Sequence, residues 1–122
     1  MVHDAPRILV VEDEYLIALE LDGHLRAAGY RVIGPVPDID GALKLLKADR
    51  PDAAILDVNL AGEWVTPVAL ALQAMSVPFI LASGYVAADL QGAPVLRDAV
   101  NVGKSWRSDY LLHALRSALE RK

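Results

Sequence analysis

Short apolar runs and amphipathic segments alternate along the whole chain, and this alternation constrains the fold more than any other feature. Five runs have the length of a strand, and they lie at residues 7–11, 31–33, 53–56, 78–82 and 99–102, the last of them the weakest. Their apolar residues are continuous, as in strands that are covered on both faces. The alternation predicts an α/β protein, a doubly wound parallel sheet with helices on both sides.

Amphipathic segments of helical period fill the spaces between the runs. The first begins near Glu14 and ends near Gly29, and the segment 86–98 is expected to hold only a short helix. Gly34-Pro35 is expected to close the second strand. The predicted helix caps are Asp38, Thr66 and Ser108, with Pro67 at the first position of the third helix.

Length and composition exclude several classes of protein. The 122 residues suit one domain, 1–122, and 54% of them are apolar, enough for one buried core. Cysteine is absent, which excludes thiolate nucleophiles and cysteine–zinc sites and fits a cytoplasmic location. The net charge of -4 argues against direct binding of nucleic acid. No run of about 18 apolar residues predicts a membrane span, and the N-terminus does not resemble a secretory signal.

Polar residues follow four of the predicted strands at the point where each strand ends. They are Glu12 and Asp13 after the first strand, Asp57 and Asn59 after the third, Ser83 after the fourth and Lys104 after the fifth. Doubly wound folds place their sites at the carboxyl ends of the strands. We therefore expect acids, a hydroxyl and an ammonium group to converge on one small area.

Such a set of side chains suits phosphoryl transfer. Clustered carboxylates repel one another and need a cation, and hard oxygen ligands suit Mg²⁺. Glu12, Asp13, one oxygen of Asp57 and the backbone carbonyl of Asn59 are the candidate ligands. The other oxygen of Asp57 is available as a nucleophile toward phosphorus. Lys104 and Ser83 are candidates to neutralise and hydrogen-bond the phosphoryl oxygens.

These residues together resemble the receiver domains of two-component response regulators, the CheY-like family, over essentially the whole chain. The resemblance implies a flavodoxin-like (βα)5 sandwich with a five-stranded parallel sheet of order 2-1-3-4-5. It implies that Asp57 accepts a phosphoryl group, with Mg²⁺, from a sensor histidine kinase or a histidine phosphotransfer protein. The modification would switch a protein-interaction surface, and the domain would catalyse only its own phosphorylation and dephosphorylation.

The resemblance extends to a subgroup and includes two departures. Residues 78–85 resemble the Phe-Ala-Thr-Gly-Tyr stretch of receivers that often stand alone. Asn101 occupies the position of the usual aromatic switch, three residues before the lysine, and Tyr85 is our candidate to take over part of that role. Ser105 replaces the proline that usually follows the lysine, so the bond between Lys104 and Ser105 is expected to be trans. Trp106 is a candidate contact residue of the output surface.

Two other functions, and one alternative about the extent of the protein, share features of this sequence. A small phosphohydrolase with an aspartyl-phosphate intermediate commonly has a second aspartate two residues after the nucleophile, where this chain has Asn59. A flavin or nucleotide carrier of the same topology would need a phosphate-binding loop after the first strand, where this chain has acids. A receiver domain cut from a larger regulator would have the same sequence features as a complete single-domain regulator.

Overall fold

The computed structural model describes residues 5–84, 90, 92–103 and 108–120. The strands are β1 (Arg7–Val11), β2 (Arg31–Val36), β3 (Ala53–Leu56), β4 (Asn59–Leu60), β5 (Glu63–Trp64) and β6 (Phe79–Leu81). The helices are α1 (Tyr15–Ala27), α2 (Ile39–Ala48), α3 (Thr66–Ala74), α4 (Pro94–Arg97) and α5 (Ser108–Glu120). Among the residues so described, no helix is long and apolar enough to cross a bilayer.

The main sheet has the order β2-β1-β3-β6, and all of its neighbouring strands are parallel. The predicted fourth strand corresponds to β6. Its number is higher because two short strands, β4 and β5, precede it in the chain. Within the described residues the predicted fifth strand is reduced to one parallel bridge between Asn101 and Leu81. The doubly wound α/β fold and the order 2-1-3-4-5 are confirmed, with this bridge at the edge where the fifth strand was expected.

The core lies on both faces of the sheet because successive residues of a strand point to opposite faces. In β1, Leu9 and Val11 pack on the side of α2 and α3, whereas Ile8 and Val10 pack on the side of α1 and α5. All four side chains are fully or almost fully buried. Helices on both faces account for the continuous apolar runs of the sequence.

Strand β2 runs past Gly34-Pro35 to Val36, so the prediction that this pair closes the strand is wrong. The register of β1 on β2 shifts between Leu9 and Val11, and the shift brings Val36 opposite Val11. Gly34 has a φ of 91°, and a Cβ there would lie 2.8 Å from the nitrogen of Val36. Glycine is therefore required at this bulge, and the strand resumes its pairing beyond it.

Two of the predicted helix starts can be compared with the structure. Asp38 caps α2 as predicted, since its Oδ1 accepts a hydrogen bond of 2.7 Å from the backbone nitrogen of Gly41. Thr66 is the first residue of α3 and not its cap, which is Val65. Pro67 occupies the second helical position, where the missing N–H still has no partner within the helix. The helix therefore begins one residue before the predicted position.

Helices α1 and α3 end in the same arrangement of hydrogen bonds, the Schellman motif. In α1 the backbone N–H of Gly29 donates to the carbonyl of Arg26, and that of Tyr30 donates to the carbonyl of Leu25. In α3 the corresponding donors are Ser76 and Val77, and their acceptors are the carbonyls of Gln73 and Leu72. The first donor of each motif has a left-handed backbone, with φ of 92° at Gly29 and 58° at Ser76. Only Gly29 adopts that conformation without a steric penalty from Cβ.

Ser76→Gly is expected to raise the free energy of unfolding by about 0.5–1 kcal/mol, because glycine removes the clash of Cβ in the left-handed region. Ser76 is exposed, so the loss of its hydroxyl has little effect. Urea denaturation of the two proteins measures the difference. Ser76→Ala is the control, and its stability should stay close to that of the wild-type protein because Cβ is retained. Equal stabilisation by alanine and glycine would contradict this explanation.

Candidate functional site

The three central strands end level with one another. Val11 of β1 pairs with Leu56 of β3, and Leu56 pairs with Leu81 of β6. The residues that follow, Glu12, Asp57 and Ser83, are therefore brought to the same edge of the sheet. They are also the buried polar or charged side chains of the described part of the chain, with exposed fractions of 3%, 4% and 2%.

Backbone hydrogen bonds fix both buried acids. The nitrogen of Asp57 donates to the carbonyl of Val11 at 2.8 Å, which ties the end of β3 to β1. The nitrogen of Glu12 donates to the carbonyl of Val36 at 3.0 Å, and this contact depends on the bulge in β2. The Glu12 carboxylate also accepts the N–H of Glu14 at 3.1 Å, at the start of α1. The sheet therefore determines where both carboxylates lie.

Glu12, Asp13 and Asp57 each offer a carboxylate oxygen within 4.8 Å of those of the other two. The sequence predicted this group of acids from the strand ends alone. Oxygen ligands so close together fit one hard cation such as Mg²⁺, which binds through a small number of carboxylates and keeps several waters. Without a cation the three charges repel one another.

A short hairpin that the sequence analysis did not predict follows Asp57. Strands β4 and β5 pair antiparallel, and the turn between them, Ala61-Gly62, has φ of 52° and 91°. Two positive φ values are typical of the tight turns that match the twist of a hairpin. Oδ2 of Asp13 accepts the N–H of Ala61 at 3.0 Å, so the hairpin is held against the acidic group.

The side chain of Asn59 belongs to this turn, since its Oδ1 accepts the N–H of Gly62 at 2.8 Å. Only the backbone carbonyl of Asn59 is a predicted metal ligand. That assignment stays a prediction, and the use of the side chain in the turn is compatible with it.

A pocket of about 290 Å³ opens over the acids. Its lining includes Asp13, Asp57, Asn59 and Ser83, which are four of the predicted site residues. Glu12 is not part of the lining, but it follows β1 and its carboxylate belongs to the same acidic group. The pocket therefore has two of the three carboxylates of the acidic group and Ser83 on its walls.

The predicted site residues Tyr85, Lys104 and Trp106 lie outside the described residues, and so does Ser105. Asn101 is described and is half-buried beside Ser83. Its Oδ1 accepts the N–H of Ser83 at 3.2 Å and that of Gly103 at 2.9 Å. Asn101 was predicted as a switch residue from its position three residues before Lys104, but these contacts were not predicted.

Gly34 and Val36 also support the site, although they are not among the predicted site residues. Their contribution passes through the backbone, because the bulge at Gly34 brings the carbonyl of Val36 to the nitrogen of Glu12. The signal that could have indicated it was a Gly-Pro pair inside an apolar run, which is typical of a bulge as well as of a strand end.

Comparison with known families assigns this fold and site to one class. The family described as "Response regulator receiver domain" matches residues 8–115. The chain therefore belongs to the response regulator receiver domains of two-component signalling. The resemblance to the Phe-Ala-Thr-Gly-Tyr subgroup stays a prediction.

The curated relatives are longer proteins. The transcriptional regulatory protein PdtaR of Mycobacterium tuberculosis is 39% identical over 54 residues, which cover 44% of this chain and 26% of PdtaR. The transcriptional regulatory protein PrrA of Mycobacterium leprae is 40% identical over 73 residues, covering 58% of this chain and 30% of PrrA. The matches thus span less than a third of the length of these two relatives.

Solved structures match over nearly the full chain. The solution structure of SdrG from Sphingomonas melonis Fr1 is 39% identical, with a TM-score of 0.81, and the match covers 98% of this chain and 99% of that one. SdrG has also been solved in a BeF3-activated conformation, which matches with 38% identity and a TM-score of 0.78 over 96% of this chain and 99% of that one.

Proposed function

We propose that Asp57 is the phosphoacceptor of this receiver domain and that Glu12, Asp13 and Asp57 bind the Mg²⁺ that the reaction requires. The observation that carries the proposal is the group of three carboxylates within 4.8 Å at the ends of two neighbouring strands, with Asp57 almost completely buried. Two of the three acids, Glu12 and Asp57, are buried, and such a group is a cost to the fold unless it binds a cation or reacts.

In the proposed reaction, a carboxylate oxygen of Asp57 attacks the phosphorus of a phosphohistidine. The new bond joins that oxygen to phosphorus, the bond from phosphorus to the imidazole nitrogen breaks, and the electron pair leaves with the imidazole. A carboxylate nucleophile needs no general base because it has no proton to lose. The main task of the protein is to hold the nucleophile in line with the leaving group.

Bound Mg²⁺ would neutralise the phosphoryl oxygens as negative charge develops on them. Glu12, Asp13, one oxygen of Asp57 and the backbone carbonyl of Asn59 are the proposed ligands. Ser83 is proposed to donate its hydroxyl to a phosphoryl oxygen, and Lys104 to pair with another. The burial of Ser83 at the edge of the pocket supports its assignment.

Phosphorylation would add roughly two negative charges to this edge of the sheet. A hydrogen bond from Ser83 to the phosphoryl group would then pull the loop after β6 toward Asp57. We propose that the output surface lies around this loop, the segment of Asn101 and α5, with Tyr85 and Trp106 as contact residues. The domain would not turn over an external substrate, and Asn59 in place of a second aspartate argues against a phosphohydrolase.

We propose that the donor is a sensor histidine kinase or a histidine phosphotransfer protein. An exposed apolar surface of α1, formed by Tyr15, Leu16 and Leu19, starts directly after the acidic group. Leu16 is 75% exposed, and such a patch beside a reactive group suits a protein donor. We also infer one receiver domain over residues 1–122 and a cytoplasmic location, to which the absence of cysteine is suited.

The proposal is tested by incubating the protein with acetyl phosphate and Mg²⁺ and measuring its intact mass. The wild-type protein is expected to gain one phosphoryl group, about 80 Da. The gain should disappear in Asp57→Asn and when EDTA removes the cation. An adduct of the same yield in Asp57→Asn would refute the assignment of the phosphoacceptor.

A second arm of the same experiment uses a phosphorylated protein as the donor in place of acetyl phosphate. Leu16→Glu is expected to slow transfer from a phosphorylated sensor-kinase core and to leave the reaction with acetyl phosphate unchanged, because only the protein donor needs the surface of α1. Leu70→Glu on α3 is the control, since Leu70 is also an exposed leucine, at 50%, and α3 packs on the opposite face of the sheet from α1. Equal slowing by both variants would contradict the assignment of the docking surface.

A further inference from the structure

The side chain of Asn101 connects the end of β6 to the segment 100–103. It does so beyond the last backbone hydrogen bonds that are described between these two segments. Leu81 is bridged to this segment by two backbone hydrogen bonds of 2.8 Å, from its own nitrogen to the carbonyl of Val100 and from the nitrogen of Val102 to its carbonyl. The next contact described toward the site is made by Oδ1 of Asn101, which accepts the N–H of Ser83. A side-chain oxygen thus takes the place of a backbone acceptor.

The same oxygen also binds the chain that leads to Lys104. It accepts the N–H of Gly103 at 2.9 Å, and Gly103 has a φ of 78°, so the backbone turns sharply there. One carboxamide oxygen therefore holds two N–H groups that lie 20 residues apart in the sequence. A carbonyl oxygen has two lone pairs and can accept both hydrogen bonds at once.

We propose that Asn101 is a positioning residue that joins the loop of Ser83 to the turn of Gly103, so that the two segments move together. A displacement of the Ser83 loop would then be passed to the turn before Lys104 without an aromatic side chain. The existence of the link depends only on the contacts of Asn101. Its use in signalling rests on the proposed function.

The link is tested first on the unmodified protein by the hydrogen exchange of assigned amides. Asn101→Leu keeps a side chain of similar size and removes the acceptor, whereas Asn101→Asp keeps an oxygen at the same place. In the leucine variant the amides of Ser83 and Gly103 are both expected to exchange at least about tenfold faster, and in the aspartate variant both should stay close to wild type. The amide of Ala82, which donates to the carbonyl of Leu56, is the internal control.

If Asn101 had a merely structural role, the exchange rates of these amides would follow a different pattern. A general loosening would raise the exchange of Ala82 along with that of Ser83 and Gly103, and aspartate would not differ from leucine. Unchanged exchange at Ser83 or at Gly103 in the leucine variant would also overturn the proposal. If the leucine variant does not fold, Asn101→Ala gives the same comparison, since it removes the acceptor without adding bulk.

The second arm adds beryllofluoride and Mg²⁺, which together imitate a phosphoryl group on a carboxylate. In the wild-type protein the amide resonances of Ser83 and Gly103 are both expected to shift on titration. In Asn101→Leu the shift of Ser83 should persist and that of Gly103 should fall to less than about half. A full shift of Gly103 in that variant would contradict the transmission through Asn101.

The two arms separate the failure of this inference from the failure of the proposed function. If beryllofluoride shifts neither Ser83 nor any other amide around Asp57 in the wild-type protein, the proposed phosphoacceptor site is wrong. The exchange measurement in the unmodified protein still decides whether Asn101 joins the two segments.

Discussion

Asp57→Asn is expected to be more stable than the wild-type protein when no divalent cation is present. Its carboxylate lies within 4.8 Å of two others, and two unit charges at that distance repel each other by roughly 3 kcal/mol at an effective dielectric constant of about 20. Asparagine keeps the shape and removes the charge. Solvent and local adjustment reduce the gain, and we expect about 1–3 kcal/mol in the free energy of unfolding.

Addition of Mg²⁺ is expected to reverse the order of stability of Asp57→Asn and the wild-type protein. A cation that binds only the folded state stabilises it in proportion to the logarithm of its concentration over its Kd. The wild-type protein should therefore gain stability through a Mg²⁺ titration, and Asp57→Asn should gain much less. Thermal melts with and without the cation measure both effects. Glu20→Gln is the control, because it makes the same change of net charge at an exposed position of α1.

The outcome that would contradict this account is an Asp57→Asn protein that is no more stable than wild type without cation and gains as much from Mg²⁺. The acids would then not form a repulsive group that the cation relieves. Stabilisation of Glu20→Gln by the same amount would indicate an effect of net charge alone.

Asp13→Asn is expected to slow phosphorylation by acetyl phosphate about a hundredfold or more at a fixed concentration of Mg²⁺. Loss of one anionic ligand weakens the neutralisation of the phosphoryl oxygens, and each factor of ten corresponds to about 1.4 kcal/mol of the barrier. Asparagine retains an oxygen that can accept the N–H of Ala61, so the hairpin of β4 and β5 should stay in place. The measurement is the initial rate of adduct formation by intact mass.

The comparison with Glu20→Gln separates the loss of a ligand from the loss of a charge, and that variant should react at the wild-type rate. A rate for Asp13→Asn within about twofold of wild type would show that Asp13 is not a ligand. Partial recovery of the rate at higher Mg²⁺ is expected, because a weaker site fills at a higher concentration.

The alternation of strands and helices and the position of the acids could be predicted from simple sequence patterns, whereas the strand order was implied by the resemblance to receiver domains. Continuous apolar runs indicated strands covered on both faces, and the strand-end rule then brought Glu12, Asp57 and Ser83 to one edge. No contact between distant side chains was needed for this step. The register of β1, β3 and β6 agrees with that expectation.

The parts that sequence reasoning missed depend on local backbone geometry. The strand β2 crosses Gly34-Pro35 because a bulge restores its pairing at Val36, and composition does not distinguish a bulge from a strand end. The hairpin of β4 and β5 has strands of two residues, too short for any period to be visible.

The contacts of Asn101 could not be predicted for a different reason. The sequence showed that an aromatic residue was absent from this position, but the acceptor role of its carboxamide depends on where the backbone of Ser83 and Gly103 runs. A polar side chain that accepts two backbone N–H groups is recognisable only in three dimensions.

The most direct test of the central claim is to locate the phosphoryl group. The protein is incubated with acetyl phosphate and Mg²⁺ and then treated with borohydride, which reduces an acyl phosphate to an alcohol and so marks the modified carboxylate permanently. Peptide mass spectrometry is expected to find the mark at Asp57 and not at Glu12 or Asp13. A mark at either of those neighbours, or at an acid outside the pocket, would contradict the assignment.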